Sequence, residues 1–159
     1  MCIASNSENI HVRTLNDQVI EQQLEGWTGI IQDDMMVGAC WAADSRQILT
    51  FMDMQLRATV WSLTELSPTA YIDSPKLLPP KGLDFSSNGK FMCILIKKAE
   101  SKNWVSIYYA GYDWKIVNGF EAPEIWDPVD CKWVMDNTAI MVQDNPIESC
   151  FTIYNAMTG

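Results

Sequence analysis

Short runs in which apolar and polar residues alternate recur along this chain of 159 residues at a nearly constant interval. Such alternation predicts β-strands, because successive side chains of a strand point to opposite faces of the sheet. The clearest run is LRATVWSL at residues 56–63, centred on Val60. Matching runs are centred on Val12, Ile107 and Ile153, and neighbouring centres lie 46 to 48 residues apart. Four similar strands at one interval indicate a structural repeat.

A pair of strands joined by a tight turn precedes three of these recurrent strands. The turn segments ADSR, SSNGK and DNT supply the Asp, Asn, Ser and Gly residues that tight reversals favour. An aromatic residue closes the first strand of each pair at the same register, namely Trp41, Phe85 and Trp133. Each repeat therefore contains at least three short antiparallel strands.

A fourth strand is predicted after each of the first three recurrent strands. The segments are QVIEQQL (residues 18–24), TAYIDS (residues 69–74) and WKIVNGF (residues 114–120). Four short strands in about 40 to 50 residues are the signature of a propeller blade. The predicted fold class is all-β: a partial WD-type β-propeller of consecutive four-stranded antiparallel blades.

The blade boundaries follow from the same pattern. The predicted units are an incomplete blade at 1–34, complete blades at 35–80 and 81–125, and an incomplete blade at 126–159, all in one domain. The chain opens with CIAS, which fits the second strand of a unit, and ends just after a third strand. Because a closed propeller needs at least four blades, we expect a truncated array of about three blades' worth of strands.

The residues also resemble a known family. An aromatic-terminated first strand, a polar turn and a third strand ending in a Trp dipeptide resemble a WD repeat. The segments LRATVWSL, ACWAADSRQIL and KNWVSIYYAGYDWKIVNGFE resemble consecutive blades of the WD repeat-containing protein 8 family. The resemblance runs from Cys2 to Gly159 and is most specific from Val105 to Phe120.

Members of that family are propeller proteins of the centrosome and spindle pole. The resemblance therefore implies a non-enzymatic, cytoplasmic scaffold that takes part in microtubule anchoring and spindle organisation. It also implies protein partners: a centrosomal coiled-coil anchoring protein and microtubule minus-end machinery, including a minus-end-directed kinesin in some lineages.

The sequence departs from the general WD pattern in its polar residues. Ser62 stands where the WD dipeptide has Asp, no Gly-His dipeptide occurs, and His11 is the only histidine. The Asp-His-Ser-Trp hydrogen-bond tetrad of many WD blades therefore cannot form here. We predict that blades are held together mostly by packing, because large aromatic side chains bury extensive apolar area. The predicted blade anchors are Trp41, Trp61, Phe85, Tyr108 and Trp133.

Composition and charge restrict the classes of partner that the chain is expected to bind and the compartment in which it is expected to occur. The formal net charge is −9, which disfavours nucleic acids and anionic membranes as partners, because phosphate binding needs a dense basic surface. No apolar run approaches the length of a membrane span, and the N-terminus does not read as a secretory signal. The five cysteines are odd in number and far apart, which predicts free thiols in a reducing compartment.

No motif in the chain predicts catalysis, a cofactor or a metal site. One histidine and no G-x-S-x-G leave nothing for a triad, and neither C-x-x-C nor a calcium loop occurs. Glu121 and Glu124 are nominal candidates for a carboxylate pair, but they lie in the Pro-bounded segment EAPEIWDP, which is expected to face solvent. Asp33-Asp34 could hold a cation with a third ligand, but ordinary turn acids explain this pair better. The alternatives are a fragment of a propeller hydrolase or lyase and a fragment of a translation- or RNA-associated WD-repeat protein.

Four tryptophans fall outside the core registers and are candidates for protein contacts: Trp27, Trp104, Trp114 and Trp126. Exposed Trp is a common anchor of protein interfaces, although the same residues would also serve to cap blade ends. Trp126 is the best candidate, because prolines flank it in EAPEIWDP. The outer blades are also expected to expose apolar faces that promote self-association, built from Ile10, Val12, Phe151 and Ile153.

Overall fold

The computed structural model of the chain describes most of its residues. They are residues 2–5, 9–13, 28–32, 35–65, 67–99, 102–111, 113–145 and 150–159. Apart from short 3-10 turns such as Asp53–Gln55, the regular structure of these residues consists of strands. The strands are β1 (Cys2–Ser5), β2 (Asn9–Arg13), β3 (Thr28–Gln32), β4 (Met36–Trp41), β5 (Gln47–Met52), β6 (Arg57–Ser62), β7 (Ser67–Asp73), β8 (Leu83–Phe85), β9 (Phe91–Lys97), β10 (Asn103–Tyr109), β11 (Ile116–Glu121), β12 (Pro128–Val134), β13 (Ala139–Asp144) and β14 (Cys150–Asn155).

The strands form four antiparallel sheets in which sequence neighbours pair. The first blade contains β1–β3, the second β4–β7, the third β8–β11 and the fourth β12–β14. The four predicted recurrent strands are β2, β6, β10 and β14, and each pairs with the strand that precedes it. The predicted fold class, an all-β partial propeller, is confirmed.

Two of the three predicted fourth strands are present in the structure, and the third segment lies outside the described residues. β7 and β11 are the outer strands of the second and third blades, where TAYIDS and WKIVNGF were expected. QVIEQQL lies outside the described residues, and the strand that pairs with β2 is β3. Trp114, the predicted start of the third outer strand, instead lies before β11 with a positive φ of 49°.

Each hydrophobic core lies between two neighbouring blades rather than within one sheet. On β9, Met92 and Ile94 join a cluster shared with the second blade, whereas Cys93 and Leu95 join a cluster shared with the fourth. All four side chains are at most 1% exposed. This two-sided burial explains why FMCILI is apolar without alternation: each face of the strand packs on a different blade.

The core between the first and second blades has a different composition. Ile31 of the first blade packs with Met36, Ile48 and Leu63 of the second, and Trp41 and Trp61 cover this cluster. Ile48 lies opposite Trp41 on one neighbouring strand and opposite Trp61 on the other. An aliphatic side chain held between two indoles is a packing contact that brings large apolar areas together.

A hydrogen bond between an indole and a hydroxyl joins two strands of the second blade. The indole N–H of Trp61 donates to Thr50 Oγ1 at 2.9 Å, and Thr50 is fully buried on the neighbouring strand β5. Blade cohesion therefore includes a Trp–hydroxyl bond in addition to the packing expected from the sequence.

Candidate protein-binding surface

The blades present two ends with different connections. The antiparallel order places the segments that join one blade to the next at one end, together with the β5–β6, β9–β10 and β13–β14 turns. We call this the connection end. The β4–β5, β8–β9 and β12–β13 turns lie at the opposite end. The two kinds of end offer separate surfaces to a partner.

Residues 122–127 join the third and fourth blades at the connection end, and their backbone is hydrogen-bonded to both. Ala122 N donates to Asn103 O at 3.0 Å, and the side-chain amide of Asn103 donates to Ile125 O at 2.7 Å. On the other side, Asn145 N donates to Asp127 O at 3.1 Å. Ile125 is buried in the core between the two blades. We call this segment the Trp126 loop.

A buried carboxylate fixes the tip of the Trp126 loop. Asp144, the last residue of β13, is 7% exposed, and its two oxygens accept hydrogen bonds from Trp126 N at 3.0 Å and Asp127 N at 2.6 Å. Hydrogen bonds to an ionised acceptor are among the strong ones in proteins. The loop is therefore held from the third blade through Asn103 and from the fourth through Asp144.

The side chain of Trp126 points into solvent from this fixed backbone. It is 87% exposed, the largest exposure among the large apolar side chains of the described residues. Exposing an indole forgoes a large gain from burial, so an exposed one on an ordered loop has the features of an interface anchor. Pro123 within the loop and Pro128 directly after it flank Trp126, as the sequence suggested.

Trp104, in contrast to Trp126, is half-buried and contacts residues of its own blade. The ammonium Nζ of Lys98 lies 3.5 Å from the centre of its ring. On β11, a Cβ added to Gly119 would come within 2.6 Å of the indole nitrogen, so the ring lies directly over this glycine. Trp104 thus has a cation partner within its own blade.

The expectation that Trp114 contacts a partner is wrong. The residue is only 4% exposed and belongs to the core between the second and third blades. Its indole N–H donates to the side-chain oxygen of Gln47, and its ring meets Phe85 edge-on with centroids 6.5 Å apart. The left-handed backbone at Trp114 is part of the turn before β11, where this side chain packs inward. Trp27 lies outside the described residues.

The predicted blade anchors lie at or beside the interblade cores. Tyr108 is buried, and the other four are half-buried: Trp41, Trp61, Phe85 and Trp133. The ring of Trp133 lies 6.4 Å from that of Phe91 in the third blade. Asp84, next to Phe85, accepts a hydrogen bond from Trp133 N at 2.9 Å. We predict that these contacts bind neighbouring blades together.

Two further groups of exposed apolar side chains lie on the second and fourth blades. At or next to the connection end of the second blade are Met35, Val37, Met54 and Leu56. On the fourth blade, Phe151 and Ile153 are each 53% exposed. Their neighbour Tyr154 packs towards the third blade, so strand alternation places these two side chains on the opposite face of the sheet.

Two cysteines, Cys40 and Cys131, have raised thiol pKa values. Cys93 and Cys131 face each other across the third and fourth blades with sulfurs 3.9 Å apart. The hydrogen bond shared with Cys93, together with burial, raises the pKa of Cys131 well above its usual value, and burial raises the pKa of Cys40 to about 12. Both therefore stay protonated at neutral pH, whereas a nucleophilic cysteine needs a thiolate.

Two clefts lie at the opposite end. One, of about 560 Å³, runs between the third and fourth blades and is lined by apolar residues such as Phe91, Trp133 and Met157. The other, of about 530 Å³, carries the charges of Asp44, Arg46 and Glu65. Among the described residues, no group of three His, Cys, Asp or Glu side chains converges as metal ligands would. In the same part of the chain, no helix is long and apolar enough to cross a membrane.

The chain is similar to a WD-repeat protein in sequence and to propeller proteins in structure. The sequence matches no protein-family model. It is 29% identical over 120 residues to the WD repeat-containing protein WRAP73 of Mus musculus, a match that covers 76% of this chain. The chain spans about a quarter of the length of this curated relative, since the match covers 25% of it.

The solved structures that resemble the chain share its fold. Hydrazine synthase of Kuenenia stuttgartiensis aligns with 96% of this chain and 46% of its own, at a TM-score of 0.61 and 14% identity. The C-terminal WD40 domain of Sif2 aligns with 82% of this chain and 36% of its own, at a TM-score of 0.52 and 15% identity. Since one is an enzyme and the other a WD40 domain, this likeness establishes the propeller fold and not a function.

Proposed function

We propose that this chain is a non-enzymatic protein-interaction scaffold of the WD repeat-containing protein 8 family, with residues 1–159 forming one partial propeller. By that resemblance it acts in the cytoplasm at the centrosome and spindle pole, in microtubule anchoring and spindle organisation. Its partners are a centrosomal coiled-coil anchoring protein and microtubule minus-end machinery. The repeated blades and the match to a mouse WD-repeat protein support the proposal.

The single observation that carries the proposal is the exposed Trp126. The backbone that holds it is tied to both neighbouring blades, so binding a partner orders little that is not ordered already. Pre-organisation of this kind lowers the entropic cost of association. An indole in such a place is suited to fill an apolar pocket on another protein.

The proposal is tested by following a fluorescently tagged chain in dividing mouse cells. We expect the wild-type chain to concentrate at spindle poles and Trp126→Ala to lose at least half of that enrichment. Met157→Ala is the matched control, because Met157 is also strongly exposed, at 72%, but lies at the opposite end. An even distribution of the wild type contradicts the location, and full enrichment of Trp126→Ala contradicts the role of the loop.

The enzymatic alternative, a fragment of a propeller hydrolase or lyase, predicts turnover that depends on specific acids. A scaffold shows none in a screen of ester, peptide and glycoside substrates with the purified chain. The RNA-associated alternative predicts binding to nucleic acid that weakens with salt, which the net charge of −9 opposes.

A further inference from the structure

The two tryptophans at the connection end of the third blade have opposite electrostatic surroundings. Trp104 has the Lys98 ammonium over its ring, at 3.5 Å from the centroid. The ring contacts with cations found among the described residues are this one and the stacking of Arg57 on Tyr71. Trp126 therefore has no such cation from that part of the chain.

The charges closest along the chain to Trp126 are negative. Glu124 and Asp127 are both exposed, and residues 122–127 contain no lysine or arginine. The cations of the adjoining β9–β10 turn are already engaged: Lys98 lies on Trp104, and Lys102 Nζ is 3.4 Å from Glu121 Oε2. The loop thus offers an open aromatic face beside two carboxylates without an ion-pair partner among the described residues.

From this arrangement we propose that the Trp126 loop binds a basic, arginine-bearing segment of a partner protein. A guanidinium stacks on the indole of Trp126, while neighbouring basic side chains pair with Glu124 and Asp127. Arginine fits best because its planar, weakly hydrated head both stacks on aromatic rings and donates to carboxylates. The inference rests on the proposed function, since it names the chemistry of the partner at the same loop.

The charge of the loop also predicts how binding responds to conditions. Pairs between exposed charges weaken as salt shortens the screening length, from about 10 Å at 0.1 M to about 3 Å at 1 M. Complementary charge mainly speeds association and selects the partner, while the ring contact contributes at close range. Binding should therefore be salt-sensitive and should need the aromatic ring as well as the acids.

The test uses the whole chain and fluorescein-labelled 12-residue peptides in which glycine alternates with arginine, lysine or glutamate. Fluorescence anisotropy should rank arginine above lysine, with the glutamate peptide not binding. Trp126→Leu keeps apolar area but removes the ring, and Glu124→Gln with Asp127→Asn removes two charges. Each change should lower the affinity of the chain for the arginine peptide by about 3- to 10-fold.

The matched control is Asp113→Asn with Asp136→Asn, which removes the same net charge from exposed turns at the opposite end. Binding should remain within twofold of wild type. Equal weakening by this control, unchanged binding by Trp126→Leu, or no binding of the arginine peptide at millimolar concentration overturns the inference.

The cellular assay separates this inference from the proposed function. If Trp126→Ala loses spindle-pole enrichment but Glu124→Gln with Asp127→Asn keeps it, the scaffold proposal stands and the basic partner is wrong. If Trp126→Ala keeps the enrichment, the loop is not the anchor, and both proposals fail at this site.

Discussion

The carboxylate of Asp144 holds the backbone of Trp126 in place, with Oδ2 3.0 Å from Trp126 N, while its other oxygen lies 2.6 Å from Asp127 N. Asp144 ends a strand of the fourth blade, and the loop that it binds leaves the third. One buried side chain of the fourth blade therefore fixes the backbone that carries Trp126. The indole of Trp126 is the most exposed one among the described residues.

Replacing Asp144 should loosen the Trp126 loop. Asn at this position has one acceptor oxygen for two N–H groups, and Ala has none, so partly buried donors lose their partner. We expect Asp144→Asn and Asp144→Ala to lower the free energy of unfolding by about 1–3 kcal/mol, with Ala the larger loss. Urea unfolding measures this, and limited proteolysis should show earlier cleavage within residues 122–127.

The control for that prediction is Asp136→Asn, in the exposed turn between β12 and β13. It makes the same chemical change without removing a loop clamp, so we expect a change within about 0.5 kcal/mol. Equal effects of the two Asp→Asn substitutions would show that Asp144 does not fix the loop.

The hydrogen bond between Trp61 and Thr50 should contribute to the second blade. Trp61→Phe and Thr50→Val each remove one partner, and the double mutant removes both. We expect a coupling free energy of about 1 kcal/mol from the double-mutant cycle. Because Trp61 is half-buried, Trp61→Ala should cost about 3 kcal/mol, the lower end for large aromatic truncations. Additive single effects would rule out the bond as a stabilising contact.

We expect the free energy of unfolding to fall at alkaline pH because of the buried thiol of Cys40. Burial raises its pKa from 9.0 to about 12, so the folded chain holds the thiol proton to a higher pH than the unfolded chain does. The contribution of Cys40 to the free energy of unfolding is complete below pH 9 and is lost between pH 9 and pH 12. In that range the free energy of unfolding falls by up to about 1.4 kcal/mol per pH unit. The difference in unfolding free energy between wild type and Cys40→Ala, measured at pH 8, 9.5 and 10.5, should shrink. A constant difference would contradict the raised pKa.

The exposed face of the fourth blade should make the chain self-associate. Phe151 and Ile153 are half exposed on that face, and contiguous apolar surface of this kind favours association. We expect sedimentation at micromolar concentration to show oligomers or aggregates, and Phe151→Ser with Ile153→Ser to reduce them. Ile116→Ser is the control, because Ile116 is 63% exposed on a different blade. A monodisperse wild-type monomer would contradict this prediction.

The fold could be predicted because the signal is repeated. The run around Val60 recurs three times, and the apolar run of β9 reflects burial on both faces, so local pattern and tertiary packing agree. The first outer strand was harder to place: QVIEQQL has an apolar pattern, but the segment that pairs with β2 is Thr28–Gln32. A short apolar pattern shows that a segment can form a strand but not which strand pairs with it.

The site could be predicted only in part. Trp126 was identifiable from its flanking prolines, but the clamps were not, because Asp144 and Asn103 are single polar residues at strand ends whose partners lie 17 to 23 residues away. Trp114 was misassigned for a related reason. Its burial depends on a left-handed turn and on Gln47, which is 67 residues away in the sequence. No pattern in the neighbouring sequence predicts either feature.

Photocrosslinking in cells is the sharpest test of whether the connection end binds proteins through Trp126. A photoreactive phenylalanine analogue placed at position 126 or, as the matched site at the opposite end, at position 157 is irradiated in dividing mouse cells, and adducts are identified by mass spectrometry. Adducts with a spindle-pole protein are expected at position 126 and not at position 157. Equal adducts at both positions, or none at position 126, would show that Trp126 is not the contact.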